Sequence, residues 1–144
     1  MKVKIVNQSN NPLPSYKTIG SAGMDLHAFV AEPIVLESLE RCLVPTGLYM
    51  ELPLGYEAQV RPRSGLAIKK GLSMPNTPGT IDSDYRGELK VPIINLSKET
   101  QTIQPGERIA QMVIAKHEMV EWTVVEQLGD SKRGSDGFGS TGTK

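Results

Sequence analysis

Proline and glycine divide this chain into short segments, and that punctuation limits its fold more than any other feature. The 144 residues include 14 glycines and 10 prolines. No window between them has the apolar period of a long amphipathic helix, and the segments instead alternate apolar and polar residues or are β-branched. We therefore predict an all-β sandwich, jelly roll or barrel. The predicted strands lie at 2–5, 47–52, 56–61, 88–95, 108–116 and 122–125. Pro92 places its strand at a sheet edge or a bulge.

One short helix is predicted at 64–71. Ser64 is a favourable N-cap and Gly71 a favourable residue just past the C-terminus, and two lysines in the last turn complement the helix dipole. Arg61 and Arg63 precede its first turn, and a helix N-terminus beside two guanidiniums can bind an anion. A capped surface turn with solvated arginines explains the same residues equally well.

The segment 76–87 carries most of the candidate chemistry. Turn-forming pairs at 78–79 and 86–87 predict a hairpin with exposed backbone groups at its tip. Asp82 and Asp84 would share one face of an extended strand. Near a polyphosphate, such a carboxylate can bind a metal or accept a proton from water. Equally, both aspartates can bond to nearby amides of a turn.

The last twelve residues combine a permissive backbone with groups suited to a nucleotide. Four of them are glycines. Arg133 can bind phosphate with two hydrogen bonds, Ser140 and Thr141 can donate to further phosphate oxygens, and a base can stack on Phe138. The alternative is a disordered Gly/Ser tail, which is common at chain termini.

Composition excludes several classes of function. Lysine plus arginine equals aspartate plus glutamate, so no overall field favours nucleic acid or membrane partners. Cys42 is the only cysteine, which excludes an intramolecular disulfide, and we expect it to act as a small apolar side chain. The N-terminus lacks the apolar region of a signal peptide, and no apolar run has the length of a membrane span. We expect a cytoplasmic protein.

Five segments in order resemble the five motifs of the trimeric deoxyuridine triphosphatases (dUTPases). These segments are 22–28, 62–67, 79–87, 106–112 and 133–142, and the resemblance extends from about Leu13 to the C-terminus. One such motif is weak evidence, whereas five at compatible spacing are specific. The resemblance implies a jelly-roll β domain at 1–128 and a flexible tail at 129–144. It further implies a homotrimer with shared active sites, in which the tail closes over a neighbouring subunit's site.

The resemblance also implies hydrolysis of dUTP to dUMP and pyrophosphate. Asp82 corresponds to the general base that takes a proton from the water attacking the α-phosphorus. The ring of Tyr85 corresponds to one that packs against the deoxyribose and excludes a 2′-hydroxyl. Uracil would be bound by the Asn76 side chain and by neighbouring backbone groups. The other nucleoside-binding positions implied are Gly79, Thr80, Ile81 and Lys90.

A second set of positions corresponds to groups that contact the triphosphate or close over the bound nucleotide. They are Arg63, Ser64, Gly65, Gln111, Arg133, Phe138, Gly139, Ser140 and Thr141. The implied cofactor is Mg²⁺, held by phosphates and water without a direct protein ligand. Asp25 and Gln111 correspond to possible outer-shell residues. The chain departs from the family's tail pattern at Asp136, where a glycine is usual, which puts the tail's affinity in doubt.

Two other functions are compatible with this fold. A dCTP deaminase, alone or combined with dUTPase activity, would require a glutamate base and an arginine near the attacked carbon. The segment 79–87 instead carries the set typical of the hydrolases. A regulatory nucleotide-binding protein without catalysis is the other alternative, and retention of Asp82, Tyr85, Gln111 and Phe138 argues against it.

Overall fold

The computed structural model describes residues 1–135, which contain eleven short strands and one helix. In chain order they are β1 (Lys4–Asn7), β2 (Gly23–His27), β3 (Ile34–Leu36), β4 (Arg41–Pro45), β5 (Leu48–Glu51), β6 (Tyr56–Pro62), α1 (Ser64–Lys70), β7 (Leu72–Ser73), β8 (Gly79–Ile81), β9 (Lys90–Asn95), β10 (Gln101–Ile103) and β11 (Arg108–Lys116). The prediction of an all-β fold with a short helix is therefore confirmed.

All strand pairs are antiparallel, and they form four small sheets. Their strand orders are β1–β5, β3–β10, β2–β11–β6–β8 and β4–β9–β7. Alternate residues of β6 and β9 point into one core, as the alternation in sequence predicts. Ala58, Val60, Val91 and Ile93 are all at most 2% exposed. Full burial of a valine or isoleucine side chain contributes about 1.5–3 kcal/mol.

Proline in β9 is tolerated because the strand is paired on one side only at that point. Pro92 pairs with Leu43 of β4, whereas β7 pairs only with Ile94 and Asn95. The missing amide of Pro92 therefore costs no hydrogen bond to β7. The expectation of an edge strand is wrong, because β9 is the central strand of its sheet, although only β4 pairs with it at Pro92.

The predicted strand at 122–125 is wrong. These residues form no strand, and Trp122 and Val124 are 85% and 95% exposed. Aromatic and β-branched residues favour strands by packing on a sheet surface, and within residues 1–135 no strand pairs with this segment.

The helix begins one residue earlier than it would with Ser64 as its cap. Arg63 is the N-cap residue and makes no side-chain capping bond, while Ser64 is already the first helical residue. The carbonyl of Arg63 accepts the amide hydrogens of Leu66 and Ala67, so it closes the first turn. At the other end, Gly71 has the predicted left-handed conformation, with φ 65°. No helix in this part of the chain is long and apolar enough to cross a membrane.

Candidate active site

Most of the predicted nucleoside-binding residues line one cavity of about 310 Å³, here called the Asp82 pocket. The predicted members are Asn76, Thr80, Ile81, Asp82, Tyr85 and Lys90. Sequence reasoning missed three further members, which are Leu43, Glu88 and Pro92. Leu43 and Pro92 face each other across β4 and β9, and their apolar side chains supply a surface suited to a flat ring.

Strand β8 forms one side of the Asp82 pocket and pairs with β6, with Gly79 opposite Val60 and Ile81 opposite Ala58. The predicted hairpin across 76–87 is therefore wrong, because β8 finds its partner earlier in the chain. Gly79 is buried, and a β-carbon there would lie 3.2 Å from Nδ2 of Asn76. Glycine at 79 thus lets the Asn76 amide lie close to the backbone of β8.

Asp82 begins a turn rather than continuing the strand. The amide of Tyr85 donates a hydrogen bond of 3.2 Å to the carbonyl of Asp82. Asp82 and Asp84 are both exposed in this turn, so the prediction that they share a strand face is wrong. The Asp82 carboxylate makes no hydrogen bond or ion pair within residues 1–135. It is therefore available to a ligand or to water at the rim of the pocket.

Tyr85, Glu88 and Lys90 form a connected group at the same pocket. The hydroxyl of Tyr85 donates to the carbonyl of Glu88 at 3.1 Å. The Glu88 side chain is 17% exposed and lies 3.5 Å from Nζ of Lys90. Its other oxygen accepts the amide of Gly47 at 2.9 Å. The pocket thus presents one aromatic ring held by the Glu88 carbonyl and one cation paired with the Glu88 carboxylate.

A second group of residues, here called the arginine cluster, consists of Asp25, Arg63, Arg108 and Gln111. Oδ1 of Asp25 lies 2.9 Å from Nε of Arg63, and Oδ2 lies 3.2 Å from a terminal nitrogen of Arg108. Arg63 also donates to the carbonyl of Arg108 at 3.3 Å. The cluster carries two positive charges around one carboxylate, which gives it a net positive charge that suits an anion.

Gln111 and α1 complete the arginine cluster. Nε2 of Gln111 donates to the carbonyl of Pro62 at 3.0 Å, and a β-carbon at Gly23 would lie only 2.6 Å from Oε1. Ser64 and Gly65 are exposed in the first turn of α1, where amide hydrogens lack acceptors within the helix. Lys70 binds Glu107 at 2.6 Å and fixes the other end of α1.

Burial lowers the pKa of His27, next to this cluster, below its ordinary value of 6.5. The carboxylate of Asp25 opposes that shift. The positive charges of Arg108, Lys17 and Arg63 add to it. Burial also raises the pKa of the Cys42 thiol, which makes this cysteine a poorer nucleophile and agrees with its expected apolar role.

The Asp82 pocket and the arginine cluster lie at opposite ends of β6. Ile81 pairs with Ala58 near the start of the strand, and Pro62 at its end pairs with Ala110. Asp82 and Arg63 each lie one residue further out, in opposite directions. At about 3.3 Å per residue, some 20 Å of strand separates them. One chain therefore does not bring these two groups of predicted residues together.

Of the predicted tail residues, Arg133 alone lies within residues 1–135. Arg133 is exposed and lies in a turn in which the amide of Gly134 donates to the carbonyl of Ser131 at 3.1 Å. The remaining predicted tail residues lie outside the described residues, and they are Phe138, Gly139, Ser140 and Thr141. Arg108 and Glu88 were not singled out from the sequence, although each lies within or directly beside one of the five motif-like segments.

The fold and the two groups of residues define an antiparallel β protein with one surface suited to a ring and another suited to an anion. A family model described as dUTPase matches residues 9–142. This chain belongs to the dUTPase family.

Curated and structural relatives agree with that assignment. A deoxyuridine 5'-triphosphate nucleotidohydrolase of Cytophaga hutchinsonii is 63% identical over 97% of this chain and 91% of its own length. The dUTPase of Staphylococcus bacteriophage 80alpha, solved with dUPNHPP, is 29% identical with a TM-score of 0.84 and covers 99% of both chains. A variant dUTPase from phage phi11 of S. aureus is 25% identical with a TM-score of 0.80, covering 90% of this chain and 100% of that one. Its structure describes the coordination of a structural Mg(II) ion. The jelly-roll prediction is confirmed by these neighbours.

Proposed function

We propose that this chain hydrolyses dUTP to dUMP and pyrophosphate in a Mg²⁺-dependent reaction, with Asp82 as the general base. The observation that carries the proposal is the position of Asp82. Its exposed carboxylate has no partner within residues 1–135 and stands at the rim of the pocket that holds the other nucleoside-binding candidates. A base must be open to the water that it activates and close to the bound substrate.

The Asp82 pocket selects the nucleoside. The amide of Asn76 and the backbone of β8 supply donors and acceptors for the edge of uracil, and Leu43 and Pro92 cover its face. Cytosine presents an exocyclic amine where uracil has an oxygen, so it would leave buried polar groups unpaired. The ring of Tyr85 stands against the deoxyribose and leaves no room for a 2′-hydroxyl.

The arginine cluster binds the triphosphate. The guanidinium of Arg63, the first amides of α1 at Ser64 and Gly65, and the side chain of Gln111 are the donors. Positioning and electrostatic stabilisation carry most of the rate in phosphoryl transfer, because the protein supplies little covalent chemistry there. Arg63 is fixed in direction by Asp25, which keeps its remaining hydrogens oriented for an anion.

The site is shared between subunits of a homotrimer. The separation of about 20 Å along β6 keeps Asp82 and Arg63 of one chain from acting on the same substrate. A neighbouring copy would supply the arginine cluster to each Asp82 pocket. The β domain at 1–128 forms the trimer, and the tail at 129–144 brings Arg133, Phe138, Gly139, Ser140 and Thr141 over a neighbour's bound nucleotide.

The residues present fit Mg²⁺ held through the substrate. Among residues 1–135 there is no group of three or more His, Cys, Asp or Glu side chains that could hold a metal ion. Both oxygens of Asp25 are engaged by arginines, so Asp25 and Gln111 would act on water in the outer shell. Mg²⁺ commonly binds in this way, through phosphates and several waters. When bound, the ion neutralises charge on the triphosphate.

One assay tests the proposal: pyrophosphate release from dUTP, dCTP, dTTP and UTP, with and without Mg²⁺. We expect release from dUTP alone and loss of turnover when EDTA removes the metal. Release of ammonia from dCTP would instead indicate the deaminase. Binding of dUTP without turnover would indicate the regulatory protein.

A further inference from the structure

The ring of Tyr85 folds back over Gly87. A β-carbon at residue 87 would lie 2.5 Å from Cζ of Tyr85 and 2.9 Å from Cε2, distances that real side chains do not tolerate. Gly87 does not have a positive φ, so its backbone conformation is open to any residue. A side chain at this position would therefore conflict with the tyrosine ring in its present place and not with the backbone of the turn.

The carbonyl of Glu88 holds the far end of the same ring. It accepts the Tyr85 hydroxyl at 3.1 Å, although Tyr85 is 44% exposed and would otherwise be free to move. A half-exposed ring held by one hydrogen bond keeps its orientation only if the acceptor itself is fixed. The position of Glu88 therefore decides where the ring stands.

Contacts from the β4–β5 connection fix Glu88 firmly. Its carboxylate accepts the amide of Gly47 at 2.9 Å. The next residue, Leu89, is fully buried and donates its amide to the carbonyl of Leu48 at 2.8 Å. The carbonyl of Leu89 accepts the hydroxyl of Thr46 at 2.6 Å. Three consecutive residues, 46–48, thus anchor the segment that carries the acceptor of the Tyr85 hydroxyl.

We propose that Gly87 and Glu88 are positioning residues that set the discrimination between deoxyribose and ribose, because they fix the ring of Tyr85 at the sugar side of the Asp82 pocket. This inference rests on the proposed function, in which that ring stands against the deoxyribose. A ring that is held in place excludes a 2′-hydroxyl by steric conflict, whereas a ring that can swing away admits it. Neither residue needs to touch the substrate for this effect.

The test compares kcat/KM for dUTP with kcat/KM for UTP in Gly87→Ala. The added methyl group displaces the ring, and we expect the ratio to fall about tenfold or more. The ratio separates the proposal from general damage, because a destabilised protein loses activity on both substrates alike. Gly20→Ala is the matched control, since Gly20 has nothing within 4 Å of its β-carbon position and no positive φ. Its ratio should equal that of the parent.

A second variant keeps the test decisive if Gly87→Ala does not fold. Tyr85→Phe retains the ring but removes the hydrogen bond to Glu88, and we expect the ratio to fall about three- to tenfold. An unchanged ratio in Tyr85→Phe would then overturn the proposal, as would an unchanged ratio in a folded Gly87→Ala protein.

Tyr85→Ala distinguishes failure of this inference from failure of the proposed function. If Tyr85→Ala lowers the ratio but Gly87→Ala leaves it unchanged, only the positioning role is wrong. If Tyr85→Ala itself leaves the ratio unchanged, Tyr85 does not discriminate between the two sugars. The positioning role of Gly87 and Glu88 is then wrong, and so is the role given to Tyr85 in the proposed function.

Discussion

Oδ1 of Asp25 accepts a hydrogen bond of 2.9 Å from Nε of Arg63, and this contact joins β2 to the residue that precedes α1. The other oxygen of Asp25 binds Arg108 at 3.2 Å. One carboxylate thus holds two guanidiniums that would otherwise repel each other. The Asp25 side chain is 17% exposed, against 25% for Arg63 and 53% for Arg108. The positive groups therefore remain open to an anion while the negative one lies beneath them.

We expect Asp25→Asn to lower kcat/KM for dUTP about tenfold, because the amide retains the size of the carboxylate but no longer holds both guanidiniums. Steady-state pyrophosphate release measures the effect. Glu51→Gln is the control, since it breaks the exposed pair of Lys4 and Glu51, whose side chains are 81% and 44% exposed. Such surface pairs contribute little, and its activity should match the parent. Equal losses in both variants would contradict a specific role for Asp25.

Asp82→Asn should reduce kcat by about 10²–10⁴-fold, the range typical of a lost general base. The amide is nearly isosteric, so the Kd for dUPNHPP should change little. Asp84→Asn is the matched control, because Asp84 is exposed in the same turn two residues later. If Asp82→Asn retained parental kcat and Asp84→Asn lost it, the base would be Asp84.

Five of the six strands predicted from the sequence coincide with observed strands, which are β1, β5, β6, β9 and β11. The predicted strand at 108–116 agrees with β11 at both ends, because its apolar residues pack on the core. The segment 122–125 has similar composition yet is exposed. The composition of a segment indicates that it can pack on a sheet. Whether a neighbouring strand is present to pair with it depends on the rest of the fold.

The candidate site was predictable as a set of residues but not as an arrangement. Motif resemblance singled out Asp82, Tyr85 and Arg63 as candidates. It could not show that β8 pairs with β6, a long-range choice that puts Asp82 and Arg63 at opposite ends of one strand. Arg108 was missed because its contact with Asp25 joins residues 83 positions apart in the sequence. Such contacts depend on register, and no local pattern encodes them.

The separation of Asp82 from Arg63 predicts complementation between two inactive proteins. Asp82→Asn and Arg63→Ala should each be nearly inactive alone. Co-expressed in equal amounts, they should recover about a quarter of parental activity, because random trimers form one intact site in four from two different chains. Native mass spectrometry of differently tagged chains verifies mixing. Mixed trimers without recovered activity would place both residues in the same site on one chain.

The lowered pKa of His27 predicts that the stability of the fold depends on pH. Its folded pKa lies below the ordinary value of 6.5, so below that pH the unfolded chain binds a proton more readily than the folded chain. Stability contributed by the neutral side chain is present above pH 6.5 and falls as the pH drops below it. In His27→Gln, the thermal midpoint should change less between pH 7.5 and pH 5.5 than it does in the parent. His117→Gln, which removes the other histidine, should keep the parental slope. A parental slope in His27→Gln would contradict the assignment.

Deletion of residues 133–144 should leave the β domain folded and abolish most hydrolysis. A glycine-rich terminal segment contributes little to a core, so the thermal midpoint should stay close to that of the parent. The deleted segment contains Arg133, Phe138 and the adjacent hydroxyls of Ser140 and Thr141, which we expect to close over the phosphates and the base. We expect kcat/KM to fall at least about a hundredfold. Undiminished turnover in the truncated protein would show that the tail is dispensable.

Closure of the tail should also depend on which nucleotide is bound. Ordering a glycine-rich segment costs conformational entropy, so closure requires contacts that the ligand supplies. A triphosphate offers Arg133 and the tail hydroxyls more acceptors than a monophosphate does. In Phe138→Trp, fluorescence should therefore change with dUPNHPP and Mg²⁺ and change much less with dUMP. The parent, whose single tryptophan is Trp122, gives the background response to each ligand. Equal changes with both ligands, after that background is subtracted, would mean that the triphosphate does not drive closure.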